Sequence, residues 1–535
     1  SSVLFRELAE IARRIASTSS RSDKVRIASK LIRELEPEEA YKCLLILTGR
    51  LLPPSDPRSL DVSWSTLWKV VRGLSAVEEV KGSDVGEAVE HALSRLRKKQ
   101  TTLESPPLTV SEVYSTLESL ASFGERARKE ALLSSLFSRL EPVESWLIAN
   151  AIVGETRLGL SEGLLIDAVA SAYGLRREDV ERASMVMGSP YEILRAGGKL
   201  EFHPRTFRPL RPMLAQSSES LEEALRELRR CSLEFKLDGM RVQIHRSYGK
   251  VRLFSRRMSD ITSIAPEVVG ELREGLRANE AIVEGEIIAE REGRPLAFQD
   301  MMRRFRRKEL DHKLIEEIPL RLYLFDALLI DGKSLLDSPY EERRRKLEVI
   351  AGDLPLVPNL ITDDLREAEE FMRRAIGSGH EGVMVKDPRS PYVPGVRGRY
   401  WLKVKARESL DLVIVAAERG YGRRSRWYSD YYLAARDESG GFSVVGKTFK
   451  GLTDEEFEWM TRRLEEITIR KEGKLIFVKP EVVVEVAFNE VQRSPKYESG
   501  YALRFARIIR IRDDKRADEA DTLDKVKKIY LKSGK

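Results

Sequence analysis

The sequence predicts a multidomain protein with an all-α N-terminal part, a central α+β part and a C-terminal β-barrel. Three observations carry that reading. At 535 residues the chain exceeds what one hydrophobic core serves, so two to four domains are expected. Residues 1 to about 200 place apolar side chains at helical spacing, segment after segment. Beyond them short β-rich runs appear, first with helices between them and then, from about residue 408, almost without. The boundaries follow as 1–208, 209–407 and 408–535.

The first part opens on "SSVLFRELAEIARRI", an amphipathic helix rather than a signal peptide. The absence of an initial Met suggests that a few residues preceded Ser1. "ARKEALLSSLFSRLEPVESWLIANAIV" sets Leu132, Leu133, Leu136, Phe137 and Leu140 on a helical repeat. "LLPPSDP", "ESPPLT" and "GETRLGLSEG" punctuate the helices. No fixed-period repeat stands out, so a solenoid is not favoured. "GGKLEFHPRTFRPLRPMLAQ", proline-rich and aperiodic, reads as a linker.

The second part holds strand-like runs "SLEFKLDG", "RVQIHR", "KVRLFSRR", "AIVEGEIIAE", "LRLYLFDALLI", "EGVMVKD" and "YWLKVKA", with helices at "SPYEERRRKLEVI" and "DLREAEEFMRRAIGSG". The third holds "LDLVIVAAERG", "DYYLAARD", "FSVVGKTFKG", "PEVVVEVAFNEVQ" and "LRFARIIRIRDD", with a helix at "TDEEFEWMTRRLEEI". Five strands and one helix suit a small barrel of the oligonucleotide-binding (OB) type. Residues 518–535 read as a short terminal helix.

A net charge of +7 and pI ≈ 9.1 suit a polyanionic partner. Charged residues at 33 %, with few Asn, Gln and Cys, suit a thermophile's ion-paired surface. Two Cys (Cys43, Cys231) and five His in no ligand spacing argue against a structural zinc and a disulfide framework. That cysteine usage points to a reducing, cytoplasmic compartment. No apolar run approaches the ~18 residues that span a bilayer.

The chemistry concentrates where a strand stops on K-L-D-G-M-R. Lys236 there is either a surface charge or a nucleophile, and a lysine amine attacks only in its neutral form, which a desolvated or cationic site favours. The following strands bring Arg256 and Arg257, then Glu284 and Glu286 at alternate positions on one face, Glu381 and Lys386, and Lys403 and Lys405, again on one face. Carboxylates that hold Mg²⁺ beside lysines that neutralise phosphate oxygens suit a nucleotide.

In their order and spacing, "KLDGMR", "SRR", "VEGEIIA", "LFDALLIDG", "EGVMVK", "WLKVKA" and "LRFARIIRIRDDK" resemble the motifs of the ATP-dependent DNA ligases, in the long form shared by archaea and eukaryotic nuclei. The likeness covers about residues 200–515. The helical part, with "ETRLGLSEGLLIDAV", is similar to that form's DNA-binding domain. The resemblance implies an adenylation (nucleotidyltransferase) domain followed by an OB-fold, and a thermophilic archaeal source. Carried over by position, Lys236 attacks the α-phosphorus of ATP and becomes lysine–AMP. Glu234 accepts from the adenine amino group, and Phe325 stacks on the base. Arg241 and Glu286 meet the ribose or its neighbouring phosphate, and Arg256 and Arg397 the nucleotide or the DNA 5′-phosphate. Lys403 and Lys405 hold the α-phosphate. Glu286 and Glu381 are the implied metal ligands, and Asp238 lies close to the nick. Arg504, Arg507, Asp514 and Lys515 match the motif that orients the leaving pyrophosphate. One departure is visible: where the family often has R-F-P-R, this chain has "RFAR", with Ala506 in place of proline.

The implied activity is nick sealing in duplex DNA through three phosphoryl-type transfers. Lys236 takes AMP, the DNA 5′-phosphate takes it from lysine, and the 3′-hydroxyl displaces it. The barrel is expected to swing about "KVKARESLD" between steps. The helical part is expected to grip duplex phosphates without reading bases, with steep salt dependence. The implied protein is a nucleoid-associated monomer, and a sliding clamp is an admissible partner although no clamp-binding peptide stands out. RNA ligases and capping enzymes share the lysine–nucleotide chemistry, but Glu234 and the helical domain argue against them. An NAD-dependent ligase is expected to carry a four-cysteine zinc site, which two Cys exclude. A non-enzymatic DNA-binding scaffold leaves Lys236 and its companions unexplained.

Overall fold

The computed structural model describes residues 2–77, 82, 84–99, 106–154, 156–306 and 310–533. Glu104 and Ser105 of "ESPPLT", Glu155 of "ETRLGLSEG" and the last two residues of the terminal helix expectation lie outside them. The chain forms two compact units, residues 1–181, 190–200 and 410–535 in one and 182–189 and 201–409 in the other.

In the first unit, helices follow one another from Phe5–Ala16 to Pro190–Arg195. Their ends are written in the sequence. Ser20 and Ser161 accept the backbone N–H groups of Asp23 and Leu164 at 3.3 Å, satisfying donors that no carbonyl of the helix can reach. Pro142 starts the Pro142–Val153 helix, and Gly174, at φ +64°, ends the Glu162–Tyr173 helix in the left-handed conformation. Leu133, Leu136, Phe137 and Leu140 are buried, as their spacing predicts, whereas Leu132 is half-buried.

The C-terminal part of this unit has more strands than the five runs suggest. A seven-stranded sheet and a two-stranded ribbon are present among the described residues. "PEVVVEVAFNEVQ" holds two strands, Val483–Ala487 and Glu490–Arg493, and "LRFARIIRIRDD" holds Tyr501–Arg504 and Arg507–Ile511. The hairpin Thr468–Glu472 and Leu475–Val478 was not expected, because Arg470, Lys471 and Glu472 are charged and exposed and mask the β alternation. The Asp454–Glu466 helix starts with a capping box between Thr453 and Glu456. Leu523–Lys532 is the terminal helix.

The second unit contains two sheets. Its strands of four or more residues in chain order are β1 (Leu214–Ser217), β2 (Cys231–Lys236), β3 (Met240–Ser247), β4 (Lys250–Ser255), β5 (Glu280–Arg291), β6 (Leu320–Ile330), β7 (Asn359–Thr362), β8 (Gly382–Lys386) and β9 (Arg397–Lys405). The first sheet has the order β1–β9–β8–β2–β7, and the long strands of the six-stranded second sheet run β4–β3–β5–β6. Apolar residues on one face of the first sheet, including Leu233, Val383, Val385, Leu402 and Val404, pack under the helices Leu221–Leu228 and Leu365–Gly377. A separate core joins Ile282, Ile288, Phe325 and Leu329 of the second sheet to Trp401 of the first.

Candidate active site

Three antiparallel strands build the site as a grid. Opposite residues in neighbouring strands share a face, so each row places three side chains together. One row is Lys236, Gly382 and Lys405; the next is Glu234, Met384 and Lys403; the third is Ser232, Lys386 and Trp401. Phe235 and Leu233 alternate to the opposite face, where Leu233 is buried in the apolar core and the half-buried Phe235 packs against it. The centre of the first row admits no side chain, since a Cβ on Gly382 would lie 2.1 Å from the Val404 carbonyl oxygen. Gly239 is required for the same reason, with the Ile287 oxygen 2.2 Å from its would-be Cβ. The D-G of the motif is therefore where β2 turns into β3 against β5.

Lys236 Nζ donates to the Glu381 carboxylate, and both side chains are largely sheltered. Two residues up the strand, Glu234 is buried between two cations. Its Oε2 lies 2.8 Å from Lys386 Nζ, and its Oε1 accepts from Arg344 Nη1 at 3.3 Å. The Lys386 ammonium lies 4.1 Å from the Trp401 ring centroid, 4.3 Å from that of Phe325 and 4.8 Å from that of Tyr340. Burial pushes the Lys386 pKa below the ordinary lysine range, against Glu234, which favours its charge.

The second sheet contributes Arg241. Its guanidinium grips Glu284 through two bonds of 3.0 and 3.1 Å and donates to the Met213 carbonyl at 2.5 Å. It also stands over the rings of Phe325 and Trp401, at 5.4 and 5.5 Å. Tyr392 donates to Glu284 Oε1, the oxygen that Arg241 Nη2 also reaches, and accepts from the Met213 N–H at 3.0 Å. Burial, and then Glu284, hold the Tyr392 hydroxyl well above its usual pKa, so it stays a donor. Glu286 sits directly opposite Arg241 in the register of β3 and β5. Glu284 and Glu286 thus share a face as the alternation predicts, but Glu284 is buried and Glu286 half-buried. Arg256, Arg397 and Asp238 are half-buried at the ends of these strands, and Arg397 donates to the Ala215 carbonyl at 2.8 Å.

Deeper still, Asp326 and Arg343 form a fully buried ion pair at 2.8 Å. The same guanidinium donates to the carbonyls of Ser338 and Ser390 at 2.7 and 2.9 Å, tying β6 to two loops. Nothing in the spacing of the sequence announces Arg343, Arg344, Tyr392 or Trp401 as site residues; Asp326 and Trp401 lie inside motifs that resemblance had marked.

Comparison with known proteins decides what this arrangement belongs to. The family described as ATP dependent DNA ligase domain matches residues 212–405, DNA ligase N terminus matches 4–170, and ATP dependent DNA ligase C terminal region matches 424–515. A DNA ligase 1 of Korarchaeum cryptofilum is 65 % identical over 535 residues, covering 99 % of each chain. The chain belongs to the ATP-dependent DNA ligase family. DNA ligases of Archaeoglobus fulgidus (39 % identical, 99 % of this chain and 98 % of the other) and Thermococcus onnurineus (40 %, 98 % and 97 %) match at similar length. The relatives are archaeal, as the sequence resemblance implies.

As a member of this family the ligase is an enzyme that joins nicked DNA at the expense of ATP, through a covalent AMP intermediate. Its architecture is the helical N-terminal domain, the adenylation domain and the C-terminal OB-fold. Among the described residues no helix is long and apolar enough to cross a membrane. In the OB-fold of the ligase, the four residues matched to pyrophosphate orientation divide into two pairs. Arg504 and Arg507 are exposed, and Arg504 lies 3.1 Å from Glu490. Between them Phe505 is 60 % exposed with φ +54°, while Ala506 is buried and its carbonyl accepts from Thr448 Oγ1 at 2.6 Å. Asp514 and Lys515 are buried instead, Asp514 against Arg512 at 2.7 Å and Lys515 against Asp411 at 2.5 Å.

Proposed function

We propose that Lys236 is the residue this ligase adenylylates, and that the grid of β2, β8 and β9 is its nucleotide floor. The observation that carries the reading is the first row: an amine flanked by Lys405 across a glycine, hydrogen-bonded to Glu381 and two residues from a buried carboxylate. Glu234 reads the adenine amino group, and Phe325 stacks on the base. Arg241 and Glu286 bind the ribose side, and Lys403 and Lys405 the α-phosphate. Arg256 and Arg397 receive the DNA 5′-phosphate, with Asp238 beside the nick.

In the first step Lys236 Nζ forms a bond to the α-phosphorus as the bond to pyrophosphate breaks. The amine's proton passes to Glu381, the acceptor already bonded to it. The 5′-phosphate oxygen of the nick next takes the phosphorus and releases the lysine. The 3′-hydroxyl then attacks the 5′-phosphorus, and AMP leaves. Lys403 and Lys405 compensate the charge that moves in each transfer, and the strands hold them without reorganisation.

Mg²⁺ fits the donor set. Among the described residues no cluster of three or more ligating side chains exists, and Mg²⁺ is commonly held by one or two carboxylates plus phosphates. Glu286 and Glu381 are the hard oxygen donors available, and the ion supplies charge neutralisation at the phosphates when bound. The ligase is read as a monomer of three working parts, residues 1–208, 209–407 and 408–535, acting in the cytoplasm at the nucleoid, with a sliding clamp as a further partner. Incubation with α-labelled ATP and Mg²⁺ tests the central assignment. A labelled band that survives denaturation is expected from the native chain and not from Lys236→Ala; persistence of the band in that variant sinks the reading.

A further inference from the structure

The helix Tyr340–Ala351 takes no part in the steps above, yet its first turns form a wall of the site. Tyr340 donates to the Phe325 carbonyl at 3.1 Å, Arg343 reaches Asp326, and Arg344 reaches Glu234. We infer that Arg344 is a positioning residue that sets the purine specificity of the ligase through Glu234, an inference that rests on the adenine role proposed for that glutamate.

The argument is one of hydrogen-bond inventory. Glu234 is 2 % exposed and each of its oxygens already faces a cation, Arg344 on Oε1 and Lys386 on Oε2. A carboxylate held this way offers only acceptor positions to a base edge. An adenine amino group is a donor and matches it; a guanine carbonyl at the same edge sets acceptor against acceptor. The match discriminates only if the carboxylate cannot rotate away. Arg344 prevents rotation because it is itself pinned, donating to the Val357 carbonyl at 2.6 Å. Its neighbour Arg343, bound to Asp326 and two carbonyls, locks the helix about its axis. Lys386 constrains the other oxygen but also forms part of the aromatic wall, so its removal disturbs base stacking directly. Arg344 is the cleaner lever. Arg345, next in the chain, is exposed and serves as the control.

The test compares the native ligase with Arg344→Gln, Arg344→Lys and Arg345→Gln. Formation of the denaturation-resistant band is followed against concentration of α-labelled ATP and of α-labelled GTP, with Tm measured on each protein. For Arg344→Gln, KM for ATP rises about tenfold while the saturated rate stays within about twofold, and the ATP-to-GTP preference falls about tenfold or more. Arg344→Lys lies between the native ligase and Arg344→Gln on both, and Arg345→Gln behaves as native. Equal loss of rate with both nucleotides, or an unchanged preference in a folded Arg344→Gln, overturns the inference. Should Arg344→Gln not fold, Arg344→Lys decides: an intermediate preference supports it and a native preference overturns it. A native ligase that labels but does not prefer ATP overturns the role of Glu234 as well. No label at all overturns the adenylylation assignment.

Discussion

The face of β2, β8 and β9 and the Arg504–Lys515 stretch of the OB-fold carry charge in opposite ways. On the first, paired groups are sheltered: Lys236 meets Glu381 and Glu234 meets Lys386, and on the neighbouring sheet Arg241 meets Glu284. On the second, Arg504 and Arg507 project into solvent while Asp514 and Lys515 are sealed into pairs. Pairing in a sheltered site fixes geometry at a desolvation cost of several kcal/mol per ion, so it suits groups that hold one ligand through successive steps. Exposed arginines keep their rotamer freedom and suit groups needed in a single step and then withdrawn.

The largest effect that bears on this contrast is loss of the nucleophile. Lys236→Ala is expected to lower band formation and overall sealing by at least about 10⁴-fold in a chain that still folds. Sealing of a nick supplied already adenylylated is expected to survive, because that substrate bypasses the lysine. If Lys236→Ala abolishes this last reaction too, the grid is a DNA-positioning surface rather than the seat of the covalent step.

Lys515→Met comes next and separates the two halves of the OB-fold motif. Breaking a buried pair leaves Asp411 uncompensated, which costs roughly 3–5 kcal/mol. The expected readout is a lower urea midpoint with the ratio of adenylylation to sealing unchanged. A selective loss of adenylylation in a stable Lys515→Met would place that lysine on pyrophosphate instead.

Rows of alternating residues were legible in the sequence, because a strand's period of two assigns faces from spacing alone: Lys403 with Lys405 and Glu284 with Glu286. Burial along those rows was not, because it depends on partners brought from afar. Arg344 is 110 residues from Glu234 in the chain, and Tyr392 is 108 from Glu284. The motif likeness placed Asp514 and Lys515 beside Arg504 and Arg507 in role, and their different exposure follows from how Asp411 and Arg512 close the barrel strands. The hairpin at residues 468–478 escaped because charged side chains on an exposed strand erase the alternation that marks its buried counterparts.

Arg504→Ala sharpens the comparison from the exposed side. Removing one cation that stabilises departing charge costs about 10²-fold in adenylylation. Stability is expected to move little, because an exposed pair such as Arg504 with Glu490 contributes under about 1 kcal/mol. Sealing of the adenylylated nick should be close to native. A loss of equal size in both reactions removes the idea that this arginine serves one step only.

The smallest effect tests whether the sheltered side depends on buried polar contacts well away from Lys236. His245 is fully buried in β3, the strand that carries Arg241. Its Nδ1 accepts from the Phe207 N–H at 2.9 Å, so its proton sits on Nε2, 2.7 Å from the Gln243 oxygen that also receives the Leu210 N–H at 2.9 Å. Burial pushes the His245 pKa down to about 3, far below the ordinary value of 6.5. The unfolded chain therefore binds the proton more readily between those values, and the stability this residue supports is complete above pH 6.5 and lost as pH falls. At pH 5 the loss is about 2 kcal/mol. Urea midpoints measured from pH 8 to pH 5 should fall accordingly in the native ligase. They should fall less in His245→Asn, which starts less stable but has no ring to charge. If both proteins follow the same pH curve, His245 is not the group that titrates, and the linker at Phe207–Leu210 is held to β3 by contacts indifferent to protonation.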